Sequence, residues 1–219
     1  MMTKFLKFML VCLLLVGVAV PGNAQAEEKG KPSAKEGACI SPAALQLSNE
    51  MRKLWIEHVL WTHGYIVSAV DGLQDQGQVL ARLLRNQQDI GNAVKPYYGE
   101  AAGNHLAKLL TEHIIIAGKI VDAAKAGNQK EVDKLNKIWF RNADEIVKYF
   151  NKLNPYWTVK ELQPLYYRHL QLVTDDAVTR IKKDWEGNIR AFDQGRDHIT
   201  LLADALTRGL IAQFPDKFK

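Results

Sequence analysis

The sequence predicts an all-α fold: a bundle of about six helices built from three consecutive, pseudo-repeated helical hairpins. Three observations carry this. From Ser41 onward, apolar residues recur at helical spacing almost without interruption. No segment alternates with period two for long enough to make a strand. Finally, a histidine sits inside an apolar run three times, as His58, His113 and His169, at spacings of 55 and 56 residues. A fixed period of that length marks repeated supersecondary units. The three units cover about 41–95, 96–154 and 155–216 within a single domain, 41–219.

Each element follows from local chemistry. Ser41 caps the first helix and Pro42 occupies its first turn. The stripe Met51, Leu54, Trp55, His58, Val59, Thr62, Ile66 then runs to about Val70, where Asp71-Gly72 breaks it. A second helix, about Gln74 to Val94, carries Leu80, Leu83 and Ile90 and is expected to stop before Pro96. The third, about Gly99 to Ala126, is striped by Leu106, Leu109, Leu110, His113, Ile114, Ala117, Ile120 and Val121. Gly127 ends it, and Asn128 with Glu131 forms a capping box for the fourth. The fourth runs to about Leu153 through Leu135, Ile138, Trp139, Asn142, Ile146 and Phe150. Thr158 with Glu161 caps the fifth, which reaches about Lys183. The sixth spans about Trp185 to Gln213.

Residues 1–26 read as an export signal. Lys4 and Lys7 precede a short apolar run from Met9 to Val20, and Ala24-Gln25-Ala26 supplies the small residues of a cleavage site. The run is shorter than the ~20 residues a membrane span needs. Residues 27–40 mix Lys, Glu, Gly, Pro and Ser without periodicity and read as a disordered tether. Cleavage removes Cys12 and leaves Cys39 alone, so no intramolecular disulfide is expected in the oxidising space outside the cytoplasm. It also removes Lys4 and Lys7, leaving 27 basic residues against 24 acidic ones, a net charge of +3. That mild balance, without basic–aromatic clusters, excludes nucleic acid as an expected partner. The expected location is secreted or extracytoplasmic, in the cell envelope, with peripheral envelope contact.

The repeat also yields a candidate site. The marks Arg85-Asn86, Arg141-Asn142 and, more loosely, Arg196-Asp197 follow the three histidines by 28 or 29 residues. In an antiparallel hairpin, residues equidistant from the turn lie at one height, because both helices rise ~1.5 Å per residue. The midpoints of His58–Asn86, His113–Asn142 and His169–Asp197 fall at or beside the expected turns. Each histidine is therefore expected level with Asn86, Asn142 or Asp197. Hairpins closing around one axis would join these six into a mid-bundle polar layer, whereas hairpins stacked in a row would hold the histidines some 10 Å apart. Asp197 lies off the main stripe of its helix, so His198 or Asp193 is an alternative third mark.

Two chemistries suit such a layer. Neutral imidazoles hydrogen-bonded to Asn86, Asn142 or Asp197 would fix the register of the hairpins. Alternatively, His58, His113 and His169, with a carboxylate or water as fourth ligand, would hold a transition metal, Zn or Cu. Asn86, Asn142 and Asp197 would then set the imidazole tautomers, and His198 is a further candidate ligand. The spacing matches no His-Glu-x-x-His or Glu-x-x-His pattern. His63 and His105 are expected to face solvent, and the aromatic residues near the interhairpin links, including Tyr97, Tyr98 and Trp157, to pack the end of the bundle. The readings are thus a binding protein for a metal or small ligand, and a structural or interaction protein of the envelope or spore. A hydrolase or transferase with a histidine base ranks third, because no Ser or Cys is paired with a histidine at a recognisable spacing.

The strings Leu54-Trp55…His58-Val59…Trp61-Thr62, Asn142-Ala143-Asp144-Glu145-Ile146, Asn154-Pro155-Tyr156-Trp157 and Gln213-Phe214-Pro215 resemble a family of small exported helical proteins from spore-forming, Bacillus-like bacteria. The resemblance covers roughly residues 50 to 216. It implies an exported all-helical protein without an established activity, and it does not call for a histidine at the place of His198. Family members carry conflicting enzyme labels, glycosyltransferase and acetylglutamate kinase. This chain has no Gly-rich phosphate loop, no Asp-x-Asp and no βα alternation to support either.

Overall fold

The computed structural model describes residues 40–219. The expected export signal, both cysteines and nearly all of the expected tether lie outside the described residues. Six helices follow in order: α1 (Pro42–Asp71), α2 (Gln76–Tyr98), α3 (Glu100–Lys125), α4 (Gln129–Leu153), α5 (Val159–Ile181) and α6 (Trp185–Gln213), before a closing 3₁₀ turn, Pro215–Phe218. Among the described residues there is no strand, and no helix is long and apolar enough to cross a membrane.

The helix ends are set by the residues that the sequence marks. The side chains of Ser41, Asn128, Thr158 and Asp184 accept from the backbone N–H of Ala44, Glu131, Glu161 and Gly187. Each satisfies one of the donors that a helix start leaves open, worth about 1 kcal/mol. Gly72 closes α1 in the left-handed conformation at φ 67°, where a Cβ would be strained. One boundary departs from expectation. Helix α2 continues through Pro96 to Tyr98. A proline removes its own N–H, which leaves the Asn92 carbonyl four residues back without its usual partner, and a helix with only two residues still to run absorbs that single loss. Gly99, at φ 83°, makes the turn instead, with its N–H on the Lys95 carbonyl.

Each helix packs on its neighbour in sequence, and α1 closes the bundle against α6 while also meeting α3 and α5. Helices α2 and α3 approach most closely where glycine faces glycine. A Cβ on Gly91 would lie 2.6 Å from the Gly103 carbonyl oxygen, so only glycine permits this crossing. The main core joins Met51, Trp55, Ile146, Phe150, Trp157 and Leu206 from α1, α4, the α4–α5 link and α6. Burying each such side chain contributes about 1.5–3 kcal/mol. Of the aromatic residues expected at the end of the bundle, Tyr98 and Trp157 pack there with Phe214, the Tyr98 ring 5.6 Å from Trp157 and 5.5 Å from Phe214, whereas Tyr156 is exposed and Tyr166 lies against Trp55. At that same end the Ser41 hydroxyl donates to the Phe218 carbonyl at 2.6 Å. A smaller apolar cluster around Tyr65, Ile66, Leu83, Ile114 and Val121 fills the far end.

Candidate functional site

His58, His113 and His169 each expose 3% or less of their surface. Their helices place them among Trp55, Trp139 and Tyr166: His58 lies edge-on to Trp55, and His113 lies 5.1 Å from the Trp139 ring at 31°. Burial disfavours the charged imidazolium, and the histidines also repel one another's charge. His58 is pushed down to about 3, His113 to about 4, and His169 well below the ordinary histidine value. All three are neutral at physiological pH.

The structure brings two of the three into contact. His58 Nε2 and His169 Nε2 are 3.4 Å apart. The tautomers follow from the groups around them. Gln87 Nε2 donates to the Leu83 carbonyl at 2.9 Å and lies 3.3 Å from Asn86 Oδ1, so its amide nitrogen faces His58 Nδ1 at 3.2 Å. We assign His58 Nδ1 as an acceptor, sharing with Asn86 Oδ1 the second amide hydrogen of Gln87, and His58 Nε2–H as the donor to His169 Nε2. That leaves the proton of His169 on Nδ1, a buried atom with no partner. His113 donates from Nδ1 to Asn142 Oδ1 at 2.7 Å, because Asn142 Nδ2 is spent on the Leu109 carbonyl. His113 Nε2 is then a buried lone pair without a partner.

One expected mark is extended and one is corrected. His58 is met by Gln87 beside Asn86, which also acts on the imidazole through its side chain while donating to the Leu54 carbonyl at 3.0 Å. Asp197 does not reach His169 at all. It is exposed and paired with Arg196. The residue in its place is His198, whose Nε2 donates to the Leu165 carbonyl at 2.9 Å. One bond is thus common to all three hairpins: Asn86 to Leu54, Asn142 to Leu109, and His198 to Leu165. Each time the acceptor is the carbonyl four residues before the layer histidine. The signal was in the spacing, since His198 follows His169 by 29 residues, as Asn142 follows His113. The substitution has a consequence for the layer. An asparagine amide both donates to the carbonyl and accepts from the histidine, whereas His198 presents only its N–H. His169 is consequently left without an acceptor and turns its other nitrogen to His58.

His63 is a further departure from expectation. Rather than facing solvent, it is only partly exposed, and its Nδ1 meets both oxygens of buried Asp176 at 3.0 and 3.1 Å. Asn188 donates to the same carboxylate, and the His63 ring packs 4.5 Å from Phe192. Nothing in the sequence joins residues 113 positions apart, so this pair was not readable there. His105 is exposed as expected.

For a metal, the donor set fits only in part. Two Nε2 atoms stand close to the separation of two ligands on one ion, but His58 carries its proton on that nitrogen. Moving it to Nδ1 would set one N–H against another at Gln87. Among the described residues no group of three or more His, Cys, Asp or Glu side chains is placed to hold a metal ion. Comparison of the chain with protein-family models, characterised proteins and solved structures gave no match.

Proposed function

We propose that this chain is a non-catalytic, exported helical protein of the cell envelope in which the histidine layer fixes helix register. The observation that carries this reading is the ordered run of donors and acceptors from Gln87 through His58 to His169. Side chains from α2, α1 and α5 meet in it, and sliding any one helix by a turn would strand buried polar atoms at about 1–3 kcal/mol each. Neutral imidazoles in a closed core suit such a lock and leave no base in reach of solvent. Export rests on the n-region, apolar run and small-residue cleavage site of residues 1–26.

The test is the tautomer set itself, read from long-range ¹⁵N–¹H spectra of the imidazoles. Protons on His58 Nε2, His113 Nδ1 and His169 Nδ1 are expected. A proton on Nδ1 of all three would overturn the register network.

A second reading, a Zn or Cu site, is favoured by one number. Tetrahedral ligands at bonds of ~2.0–2.1 Å stand roughly 3.4 Å apart, the separation of His58 and His169 Nε2. Water would have to complete the set, since no third His, Cys, Asp or Glu joins this pair among the described residues. Titrating Zn²⁺ and Cu²⁺ into the wild type and a His58/His113/His169→Ala variant separates the readings. Stoichiometric uptake lost in the variant establishes the metal, and equal uptake leaves register.

A further inference from the structure

Four chain segments meet at the end of the bundle that holds Ser41 and Phe218. The start of α1 joins the closing 3₁₀ turn through those two residues, and the end of α2 joins it through Tyr97, whose ring packs on Phe214 and Phe218. The α4–α5 link is tied in by Asn154, which donates to the Tyr98 hydroxyl at 3.0 Å. Each segment brings a proline, and Pro42, Pro96, Pro155 and Pro215 are all exposed. Beside them stand Ile40, 57% exposed, and Tyr156, 55% exposed. A proline ring is apolar and its backbone has no N–H, so leaving water strands no donor at those positions.

Charge at this end is one-sided. The carboxylates nearest the end are matched: Glu100 with Lys95, Glu161 with Arg208 and Asp216 with Lys219. Glu50 lies two turns further along α1, where Gln46 donates to it at 2.8 Å. Lys152, Lys160 and Lys217 are exposed at the same end, outside any ion pair among the described residues. Lys217 Nζ stands over the Tyr97 ring at 5.6 Å. At the opposite end Leu73 and Trp185 are exposed as well. There Asp71 and Asp75 flank the first, and Asp184 and Glu186 stand beside Lys182 and Lys183 around the second, so the charge is mixed.

We propose that the Ser41–Phe218 end docks peripherally on an anionic phospholipid surface. Ile40, the proline rings and Tyr156 enter the headgroup layer, a level that suits a tyrosine's apolar ring and polar tip. Lys152, Lys160 and Lys217 meet the lipid phosphates, each adding to the attraction. Two observations name lipid as the occupant. A second copy of this end would set the same lysines against one another across a two-fold axis. Residues 27–39 also enter the domain at Ile40, so a chain drawn through a membrane behind its export signal presents this end nearest the bilayer. The inference rests on the reading of the protein as an exported one of the envelope.

The experiment uses the chain from Glu27 onward, free of the apolar run of the export signal, sedimented with vesicles of phosphatidylcholine alone or with about 30% phosphatidylglycerol. Binding at least tenfold tighter to the anionic vesicles is expected, weakening as salt rises. Lys152→Glu, Lys160→Glu and Lys217→Glu together should weaken it at least tenfold, as should Ile40→Asp with Tyr156→Asp, with helical circular dichroism unchanged. Lys182→Glu with Lys183→Glu, at the opposite end, should change it less than twofold. Should a variant of the docking end not fold, a polarity-sensitive dye on Tyr156→Cys in a Cys39→Ser background decides. Its emission should shift blue on anionic vesicles, and the same dye on Leu73→Cys should not. No binding, equal binding to both kinds of vesicle, an equal loss from the two ends, or a dye shift at Leu73→Cys in place of Tyr156→Cys would each overturn the proposal. So would a blue shift without vesicles that grows with protein concentration, which would make a second copy the occupant. Binding is read on purified protein and export from whether the full chain leaves the cytoplasm, so the proposal and the reading beneath it can fail separately.

Discussion

Replacing His198 by asparagine should stabilise the protein. In the second hairpin, Asn142 serves the layer twice, donating to the Leu109 carbonyl and accepting from His113 Nδ1–H. In the third, His198 keeps the first bond, to Leu165, and cannot make the second, so His169 Nδ1–H is buried without an acceptor. His198→Asn restores the missing amide oxygen while preserving the donor. Satisfying a buried donor is worth about 1–3 kcal/mol, and the partly buried ring that is lost returns roughly 1 kcal/mol of packing. A net gain of up to about 2 kcal/mol follows, which for a domain of this size raises Tm by up to roughly 8 °C. In urea the midpoint should rise with an unchanged slope. The control is the same substitution in a His169→Leu background, where the gain should vanish because no donor remains to be met. A lower Tm, or an equal gain without His169, would refute the reasoning about the orphaned nitrogen.

Acid should unfold the protein through the layer. The unfolded chain takes up protons at the ordinary histidine value near 6.5, whereas folded His113 does so only near 4 and His58 near 3. The unfolded state therefore binds more protons throughout that window, and stability falls as pH drops from 6.5 towards 3. Each histidine costs about 1.4 kcal/mol per pH unit, or roughly 3 kcal/mol for His58 and His113 together at pH 5.5, with His169 adding in the same direction. Urea midpoints between pH 7.5 and 5.5 measure this, and a flat profile would contradict it. Gln87→Leu should cost about 1–3 kcal/mol by stripping His58 Nδ1 of its donor, and the loss should shrink in a His58→Leu background. Gly209→Ala should destabilise by about 1–3 kcal/mol or more, since the added Cβ would collide with the Trp157 indole. Its thermal midpoint should drop while an Ala substitution at exposed Gly77, where the Cβ meets nothing, leaves the midpoint little changed.

Helix content and most helix ends were legible because they are local events. Ser41, Asn128 and Thr158 cap the helices that follow them from one residue away, and the apolar stripes state which face is buried. Pro96 misled because a proline's effect depends on how much helix remains beyond it. The burial of His58, His113 and His169 followed from period alone, and so did the Asn142 pairing. The third mark was legible only as the alternative His198, because an Arg-Asp pair resembles an Arg-Asn pair in letters while the bond depends on the 29-residue spacing. The meeting of His58 with His169 and the His63–Asp176 pair are products of how hairpins close on one another. That closure brings together residues more than 100 positions apart, and no local pattern encodes it.

The bond from the Ser41 hydroxyl to the Phe218 carbonyl has a topological consequence. The first capping residue of the helical domain and its final turn are neighbours, so the chain path from 41 to 218 is nearly a closed circuit. Its entry and exit points are then a matter of where the circuit is cut. A short Gly-Ser linker from Lys219 back to Ser41, with new ends opened at the exposed Gly127-Asn128 turn, should give a circular permutant with the same packing. What would change is the order in which hairpins emerge during synthesis: α4 would lead, α3 would come last, and their mutual contact, now among the most local in the chain, would become the most distant.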